Sequence, residues 1–318
     1  MTLSPDACLT ALKYAAFDLD GTLIDEAGQP YAGVVEGLAG LRGRGLVPLV
    51  ITGRSVRSFR NLRHLDELVA QLDHEILFSE GNVLLDRRTD RLSFPLTCPP
   101  GTVRELTGVP GIDLVAEGAG EFLATTARAA VQFAMAYRLP RSQIAVDGPG
   151  LAAMTRPTAV TVFRSAGSAP LPPPSAGCEA VTIGPFGATV IRPRGTGKAA
   201  GLRRHLRSRF GEHDLSRTLA IGDGATDAPM LSACAAGIAT SNADQVAAAA
   251  ATWRLRAGLG DFLRTLDTSL FHRIADQQGL DGAPERGGSG EGALGQEVVG
   301  DRHVERLLQI QEQADGRQ

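Results

Sequence analysis

The segment FDLDGTLID, residues 17–25, places two acidic residues at the end of an apolar run. Asp18 and Asp20 follow the run KYAAF, and Gly21 and Thr22 come directly after them. Two carboxylates this close repel each other unless a cation, a shared proton or water stabilises them. The partner of this pair therefore has to come from the rest of the chain or from a bound cation.

Apolar runs and amphipathic stretches alternate on both sides of the insertion described below. Residues 13–84 have the pattern strand, helix, strand, helix, strand, with further apolar runs at LVPLVIT and EILFSEG. After residue 186 the alternation resumes with ATVIRP, a helical stretch, TLAIGDG and GIAT. This pattern predicts an α/β, Rossmann-like core with a parallel sheet covered by helices. Ligands bind beyond the carboxyl ends of such strands, where Asp18, Thr52 and Asp223 are expected.

The residue composition and patterning change between the two α/β segments and again at the C-terminal end. Residues 85–185 contain alternating runs such as LVAEGAGEFLATT, with Pro and Gly punctuation, which predicts an inserted α+β domain. The core is then residues 1–84 and 186–270. Residues 271–318 are rich in Gly and charge, which predicts a disordered tail, with a possible short helix at DRHVERLLQIQEQ.

Composition restricts the class of protein and of partner. The 318-residue chain is 43% hydrophobic and 21% charged, with a formal net charge of -3, so we expect a globular protein that does not bind nucleic acid. The N-terminal residues lack a basic region before an apolar one, and no run is long enough to span a membrane, so we expect a cytoplasmic protein without a membrane partner. The four cysteines are far apart and suggest neither zinc nor disulfides.

Four turns at predicted strand ends carry unusual residues: FDLDGT, VITGRS, PRGTGK and IGDGATDAPM. The last turn adds Asp223 and Asp227 to the first pair of acids, and a parallel sheet would gather all of them at one edge. Clusters of carboxylate oxygens suit Mg²⁺, a hard cation that takes few protein ligands. We therefore predict that Mg²⁺ stabilises the pair in the first turn.

These motifs together resemble those of the haloacid dehalogenase superfamily. FDLDGTLID matches its DxDGT signature, VITGRS resembles its second motif, Lys198 is placed like its third, and GDGATD resembles its fourth. Only 32 positions separate Asp20 from Thr52, whereas 146 separate Thr52 from Lys198. That spacing is similar to a C2-type cap inserted after the second motif, as in Cof-like and sucrose-phosphate-phosphatase-like phosphatases.

The resemblance implies a mechanism based on two acids. Asp18 would attack phosphorus to form an aspartyl phosphate, and Asp20 would protonate the leaving oxygen and then activate water. Mg²⁺ would be held by Asp18, the Asp20 backbone carbonyl, Asp223 and Asp227.

The same resemblance implies a phosphate-binding set. Thr52 and Lys198 would hold the phosphoryl oxygens, and Gly21 and Gly53 would let the backbone come close. Arg54 is either a contact to phosphate or substrate or a solvated residue at a helix start.

One position departs from the family pattern. The fourth motif commonly reads GDGxND, and Thr226 occupies the Asn position here while Asp223 and Asp227 are retained. A hydroxyl can orient a ligand but could change the geometry of the metal.

From these residues we expect a Mg²⁺-dependent phosphatase, a phosphoric monoester hydrolase, acting on a small phosphorylated metabolite such as a sugar or cyclitol phosphate. Two alternatives stay open. One is a phosphomutase of the same superfamily, and the other is a catalytically weak scaffold that uses the Thr226 change and the tail to bind a protein. The sequence leaves the oligomeric state open.

Overall fold

A computed structural model of the chain describes residues 11–118, 121–137, 139–165, 167–183, 187–266 and 271–273. Among them, residues 11–95, 195–266 and 271–273 form one compact unit, and the described residues of 96–194 form a second. The predicted α/β core corresponds to the first unit and the predicted insertion to the second.

The first unit is built on a sheet that has nine strands within the described residues. The strands, numbered along the whole chain, are β1 (Tyr14–Phe17), β2 (Val47–Ile51), β3 (Glu75–Phe78), β4 (Val83–Asp86), β5 (Arg91–Ser93), β12 (Thr218–Gly222), β13 (Ala236–Ala239), β14 (Trp253–Leu255) and β15 (Phe271–Arg273). Their order is β15-β14-β13-β12-β1-β2-β3-β4-β5. The six strands from β14 to β3 are parallel, and Phe17 of the central strand pairs with Val50 and Ile221. The carboxyl ends of β1, β2 and β12 therefore lie side by side.

Helices cover both faces of this sheet. They are α1 (Val34–Gly43), α2 (Val56–Arg60), α3 (Asp66–Gln71), α7 (Lys198–Phe210), α8 (Ala228–Ala233), α9 (Gln245–Ala250) and α10 (Leu259–Thr265). One buried cluster joins the sheet to α1, α3 and α10 through residues such as Leu38 and Phe262. The other joins it to α7, α8 and α9 through residues such as Leu202 and Leu231. This arrangement confirms the predicted parallel sheet with helices on both faces.

The second unit is a mostly antiparallel sheet with its own core. Its elements are β6 (Ile112–Glu117), β7 (Phe122–Ala124), β8 (Ile144–Val146), β9 (Ala159–Arg164), β10 (Cys178–Ile183), β11 (Ala188–Pro193), α4 (Thr102–Thr107), α5 (Ala127–Ala136) and α6 (Gly148–Ala153). The strand order is β10-β11-β9-β6-β7-β8, and among the described strands only the β7–β8 pair is parallel. Leu106 and Leu151 are buried in one cluster and Phe133 in the other. The unit is thus an α+β structure.

The division between the units lies later in the chain than the predicted limits of 85–185. β4 contains residue 84 and β5 follows it. Both extend the first sheet, because β4 pairs antiparallel with β3 and β5 pairs antiparallel with β4. ATVIRP, which was expected to resume the core, is β11 and pairs with β9 and β10 of the second sheet. An apolar run predicts a strand, but it does not say which sheet supplies the hydrogen-bond partner.

The C-terminal prediction needs a correction at its start. Residues 271–273, assigned to a disordered tail from the sequence, form β15 and pair antiparallel with β14. The remainder of the tail, including the possible helix at DRHVERLLQIQEQ, lies outside the described residues. Within the described part of the chain, no helix is both long enough and apolar enough to cross a membrane.

Candidate active site

Three of the predicted site residues stand at the carboxyl edge of the parallel sheet. Asp18 directly follows β1, Thr52 follows β2, and Asp223 follows β12. The backbone N–H of Asp18 donates to the carbonyl of Ile221 at 3.0 Å, which fixes the first turn against the end of β12. The sheet therefore brings together residues that are up to 205 positions apart in the sequence.

The carboxylates of Asp18, Asp223 and Asp227 form the centre of this edge. One oxygen from each lies within 4.8 Å of the others. Asp18 is only 6% exposed, and Asp227 is fully buried. The turn that carries Gly21 packs against Asp223, because a Cβ at Gly21 would lie 2.2 Å from the Asp223 Oδ2, and the φ of Gly21 is +74°. Gly21 thus brings backbone close to a carboxylate of the protein itself.

Lys198, the first residue of α7, lies between two of these carboxylates. Its Nζ donates to the Asp18 Oδ1 at 2.6 Å and to the Asp227 Oδ1 at 2.5 Å, and the residue is 2% exposed. The other oxygen of Asp227 accepts the backbone N–H groups of Asp223 and Gly224 at 3.1 and 3.0 Å. We call Asp18, Asp223, Asp227 and Lys198 the carboxyl-edge cluster.

Two glycines bring α7 close enough to place Lys198. A Cβ at Gly201 would lie 2.6 Å from the Cα of Gly81, and a Cβ at Gly81 would lie 2.7 Å from the Cα of Gly201. Gly81 also has a φ of +84°, which favours glycine. The close approach of the helix to the turn after β3 therefore depends on both residues.

The electrostatics of the carboxyl-edge cluster favour an additional positive charge. Burial raises the pKa of Asp18 to about 7; Lys198 opposes this rise and the Asp227 carboxylate adds to it. Burial also raises the pKa of Asp223, against the hydrogen bond from the Thr22 hydroxyl at 3.0 Å. Burial alone would lower the pKa of Lys198, but its two carboxylate partners raise it. One ammonium therefore does not balance three carboxylates.

The donor set of the cluster fits a hard divalent cation. Three carboxylates within one ligand sphere are the type of site that binds Mg²⁺, and a cation would stabilise their ionised forms. Asp20, predicted to contribute its backbone carbonyl, does not join the group of carboxylates, and that contribution stays a prediction. The carboxylates that fit a metal are therefore those of Asp18, Asp223 and Asp227.

The Asp20 carboxylate is held by Arg54. The Arg54 Nε donates to one Asp20 oxygen at 2.7 Å and Nη2 donates to the other at 2.5 Å. The remaining terminal nitrogen, Nη1, donates to the Ser58 Oγ at 2.9 Å. Arg54 was a candidate for phosphate binding, and the structure instead places its guanidinium on an acid and a serine. No motif or spacing in the sequence singles out Ser58.

Comparisons with known proteins now relate this geometry to a family. Residues 176–257 match the family model of the haloacid dehalogenase-like hydrolases, the segment that carries Lys198, Asp223 and Asp227. Several solved structures that superpose on the chain are described as haloacid dehalogenase proteins. Residues 176–257 are therefore similar in sequence to the haloacid dehalogenase-like hydrolases, and the chain shares the fold of these structures. The recognition made from the four motifs, and the classification as a hydrolase, are confirmed.

Three solved structures illustrate the similarity. A haloacid dehalogenase-like hydrolase from Bacteroides thetaiotaomicron is 18% identical, with a TM-score of 0.63, and the match covers 80% of this chain and 100% of that one. BT4131, described as a subclass IIB sugar phosphatase, is 19% identical with a TM-score of 0.62, and covers 80% and 98%. BT1666 from Bacteroides thetaiotaomicron, described among the phosphatases of the superfamily, is 19% identical with a TM-score of 0.62, and covers 83% and 97%. At these identities the structures establish the fold. A search of curated protein sequences gives no match.

The second motif has most of its polar groups engaged. The Thr52 hydroxyl accepts the backbone N–H of Arg54 at 3.1 Å, and the Thr52 backbone N–H donates to the carbonyl of Leu77. The Thr52 N–H is therefore already used between β2 and β3, and phosphate binding by the Thr52 hydroxyl stays a prediction. Gly53 is exposed, and nothing lies within 4 Å of the position that a Cβ would take. Space for a phosphoryl group beside Gly53 stays a prediction.

The fourth motif shows how the Thr226 departure is accommodated. Thr226 is exposed, whereas Asp223 is half-buried and Asp227 is buried. A residue that sequence reasoning missed, Asn242, donates to the Gly21 carbonyl at 2.9 Å and so supports the turn that follows the first motif. An amide is therefore present near the first turn, but from a loop after β13 rather than from the fourth motif.

A second group of side chains of the types that bind metal ions lies at the opposite edge of the same sheet, where the parallel strands begin. His74, Glu75 and Asp86 place ligand atoms within 4.8 Å of one another. Arg209 already supplies a cation there, because it donates to Asp73 at 2.6 Å, to Glu75 at 2.8 Å and to His74 Nδ1 at 3.0 Å. We call Asp73, His74, Glu75, Asp86 and Arg209 the amino-edge cluster. Its side chains are partly exposed, and Arg88 adds a second cation 3.8 Å from the Asp86 carboxylate.

Proposed function

We propose that this haloacid dehalogenase-like chain is a Mg²⁺-dependent phosphatase that hydrolyses a small phosphorylated metabolite through an aspartyl phosphate on Asp18. The observation that carries the proposal is the carboxyl-edge cluster, in which three carboxylates lie together and one buried ammonium contacts two of them. A buried aspartate in such a site is ready to act as a nucleophile once a cation keeps it ionised.

In the first step an Asp18 oxygen attacks phosphorus and the bond from phosphorus to the leaving oxygen breaks. The leaving oxygen takes a proton from Asp20, which lies two residues along the same turn. The products of this step are the free alcohol and the phosphorylated Asp18.

In the second step a water oxygen attacks the same phosphorus and gives a proton to Asp20. The bond between phosphorus and the Asp18 oxygen breaks, which releases inorganic phosphate and regenerates both carboxyl groups. Asp20 is suited to exchange protons with substrate and water because its side chain is 42% exposed.

Three groups of the chain would bind the phosphoryl group and the metal. Lys198 orients the Asp18 carboxylate and adds positive charge beside it. The Thr52 hydroxyl, whose oxygen accepts the Arg54 N–H, has its proton to donate to a phosphoryl oxygen. Asp18, Asp223 and Asp227 would hold Mg²⁺, which when bound supplies neutralising charge for the phosphate.

The substrate class we propose is a sugar or cyclitol phosphate. The support is the similarity in fold to BT4131, a sugar phosphatase, which matches 80% of this chain. The chain's small net charge of -3 is compatible with a small anionic substrate and gives no basic surface for a polyanion. A cytoplasmic location is part of the same proposal.

The test is phosphate release from hexose, disaccharide, cyclitol and nucleotide monophosphates, with Mg²⁺ and with EDTA. We expect turnover of a few sugar or cyclitol phosphates in Mg²⁺, none in EDTA, and none in Asp18→Asn. A matched control is Asp73→Asn, which removes an acid from the amino-edge cluster and should leave turnover unchanged.

Two results would replace the proposal. Isomerisation of a sugar phosphate that requires a bisphosphate activator and releases no net phosphate would indicate a phosphomutase. If no substrate in the panel released phosphate, and the protein were folded but not stabilised by Mg²⁺, the result would indicate a scaffold.

A further inference from the structure

The general acid assigned under the proposed function is much more exposed than the nucleophile. The Asp20 side chain is 42% exposed, whereas the Asp18 side chain is 8% exposed. A carboxylate on the surface of a turn samples several rotamers unless something holds it. Proton transfer to a leaving oxygen requires the acid within hydrogen-bond distance and correctly directed.

Arg54 holds Asp20 with both oxygens engaged. Nε and Nη2 form a two-point contact at 2.7 and 2.5 Å, the geometry in which a guanidinium fixes the plane of a carboxylate. Such a pair between two mobile side chains at a surface is ordinarily weak, because both side chains lose rotamer freedom to form it. The pair orients Asp20 only if Arg54 is itself anchored.

Ser58 supplies that anchor. Its Oγ accepts the Arg54 Nη1 at 2.9 Å, and Ser58 is only 4% exposed, so a buried and ordered group fixes the guanidinium. The Ser58 backbone N–H in turn donates to the Ser55 Oγ, the N-cap of α2, at 3.1 Å. All three nitrogens of Arg54 are thus used, two on the acid and one on the helix.

We propose that Ser58 is a positioning residue for the reaction, acting through Arg54 to hold the Asp20 carboxylate in one orientation. This inference rests on the proposed function for its kinetic consequence but not for its structural one. Removing the Ser58 hydroxyl leaves the Arg54 Nη1 without its buried acceptor. The Arg54 side chain can then adopt more rotamers, and the Asp20 carboxylate that it holds can adopt more orientations. A small misplacement of a reacting group lowers turnover by about 10- to 100-fold.

The matched pair of variants is Ser58→Ala and Ser55→Ala. Both remove a hydroxyl from the start of α2, but only Ser58→Ala removes the contact to Arg54. Ser55→Ala removes the helix cap and so reports the effect of loosening the helix alone. Thermal unfolding of both variants shows whether they remain folded to the same extent.

The first measurement does not depend on turnover. The Arg54 Nε–H gives an NMR signal that can be assigned by its absence in Arg54→Lys. We expect its hydrogen exchange to be at least about fivefold faster in Ser58→Ala than in the wild type, and close to the wild-type rate in Ser55→Ala, since an ordered hydrogen bond slows exchange. Unchanged exchange in Ser58→Ala, or equal acceleration in both variants, overturns the proposal.

The second measurement is steady-state turnover of a sugar phosphate and of p-nitrophenyl phosphate, whose leaving group needs little help from an acid. We expect Ser58→Ala to lower kcat for the sugar phosphate about 10-fold with KM unchanged, and to lower kcat for the aryl phosphate less. Equal losses for both substrates, or a change in KM alone, overturn the kinetic part. A wild-type enzyme without turnover refutes the proposed function, while the exchange measurement still decides whether Ser58 positions Arg54.

Discussion

Two acidic clusters lie at opposite edges of one sheet, and they differ in how their charge is balanced. The carboxyl-edge cluster combines three carboxylates with one buried ammonium from Lys198. The amino-edge cluster is half-exposed, and Arg209 donates to Asp73, Glu75 and His74. In both clusters three side chains place possible metal-ligand atoms within 4.8 Å of one another. Proximity of acids alone therefore does not distinguish a functional site from a structural network.

The pKa values express the same difference. Burial raises the pKa of Asp18 to about 7 despite the contact with Lys198. At the other edge burial raises the pKa of Asp86, but the hydrogen bonds from the Arg88 N–H and the Thr89 hydroxyl together outweigh burial, so the pKa is lowered. A buried cluster with fewer cations than carboxylates favours an additional cation, whereas a partly exposed cluster with its own arginines has less need of one.

The largest expected contrast is in catalysis. Asp18→Asn should lower phosphate release by about 10³-fold or more, because it removes the nucleophile. Asp73→Asn should leave it unchanged, because Asp73 touches only the Arg209 network and the backbone beside it. The measurement is steady-state phosphate release at saturating Mg²⁺. Comparable losses in the two variants would remove the distinction between the edges.

The next contrast is in the free energy of unfolding without metal. Lys198→Met should destabilise the metal-free protein by about 3–5 kcal/mol, because buried carboxylates lose their cation. Arg209→Met should cost about 1 kcal/mol, since its partly exposed acids remain in contact with water. Urea unfolding in EDTA gives both values. A larger loss for Arg209→Met than for Lys198→Met would contradict the account.

Mg²⁺ should stabilise the protein through one edge only. At a free concentration 100 times the Kd, binding adds about 2.7 kcal/mol to the free energy of unfolding. Asp227→Asn should abolish this gain, and Asp86→Asn should retain it. Thermal unfolding over a Mg²⁺ titration measures the effect. If Asp86→Asn lost the gain while Asp227→Asn kept it, the metal would be at the amino edge.

The smallest contrast is in the dependence of stability on pH. The pKa of Asp18 in the folded protein, about 7, is above the value of about 3.9 expected when the chain is unfolded. The folded protein therefore holds a proton that the unfolded chain has released, and stability rises as pH falls from 7 towards 4. In EDTA we expect Asp18 to contribute a gain of about 1 kcal/mol between pH 6 and pH 5.

Two variants isolate the sign of that effect. Asp18→Asn should remove the gain on acidification. Asp86 has a lowered pKa, so its contribution is present above its unfolded pKa and is lost as pH falls through its folded pKa. Asp86→Asn should therefore change the pH profile in the opposite direction. Equal profiles for the wild type and Asp18→Asn would contradict the raised pKa.

The carboxyl-edge cluster was predictable because it follows from local rules. Apolar runs that end in FDLD and IGDG mark strand ends, and parallel strands bring those ends to one edge of a sheet. Asp18, Asp223 and Asp227 therefore meet as expected. Lys198 was identified by its family motif, and the structure adds that its ammonium contacts two carboxylates.

The features that sequence reasoning missed depend on which strand or side chain each group pairs with in the folded protein. ATVIRP is a strand by composition, but only its antiparallel pairing assigns it to the second sheet. The cap that Ser55 forms on α2 depends on residues three positions apart, whereas the contact between Ser58 and Arg54 depends on the rotamer of a long side chain. Asn242 reaches Gly21 across 221 positions with no motif to indicate it. The amino-edge cluster likewise has no motif, because its residues come from separate strand and helix ends.

The central claim is that Asp18 accepts a phosphoryl group only when a cation balances the carboxyl-edge cluster. Beryllium fluoride, which mimics a phosphoryl group on a carboxylate, tests this directly by ¹⁹F NMR in the presence and absence of Mg²⁺. We predict protein-bound fluorine signals that require Mg²⁺, that are absent in Asp18→Asn and that persist in Asp73→Asn. Bound signals that persist in Asp18→Asn, or that form equally well in EDTA, would contradict the claim.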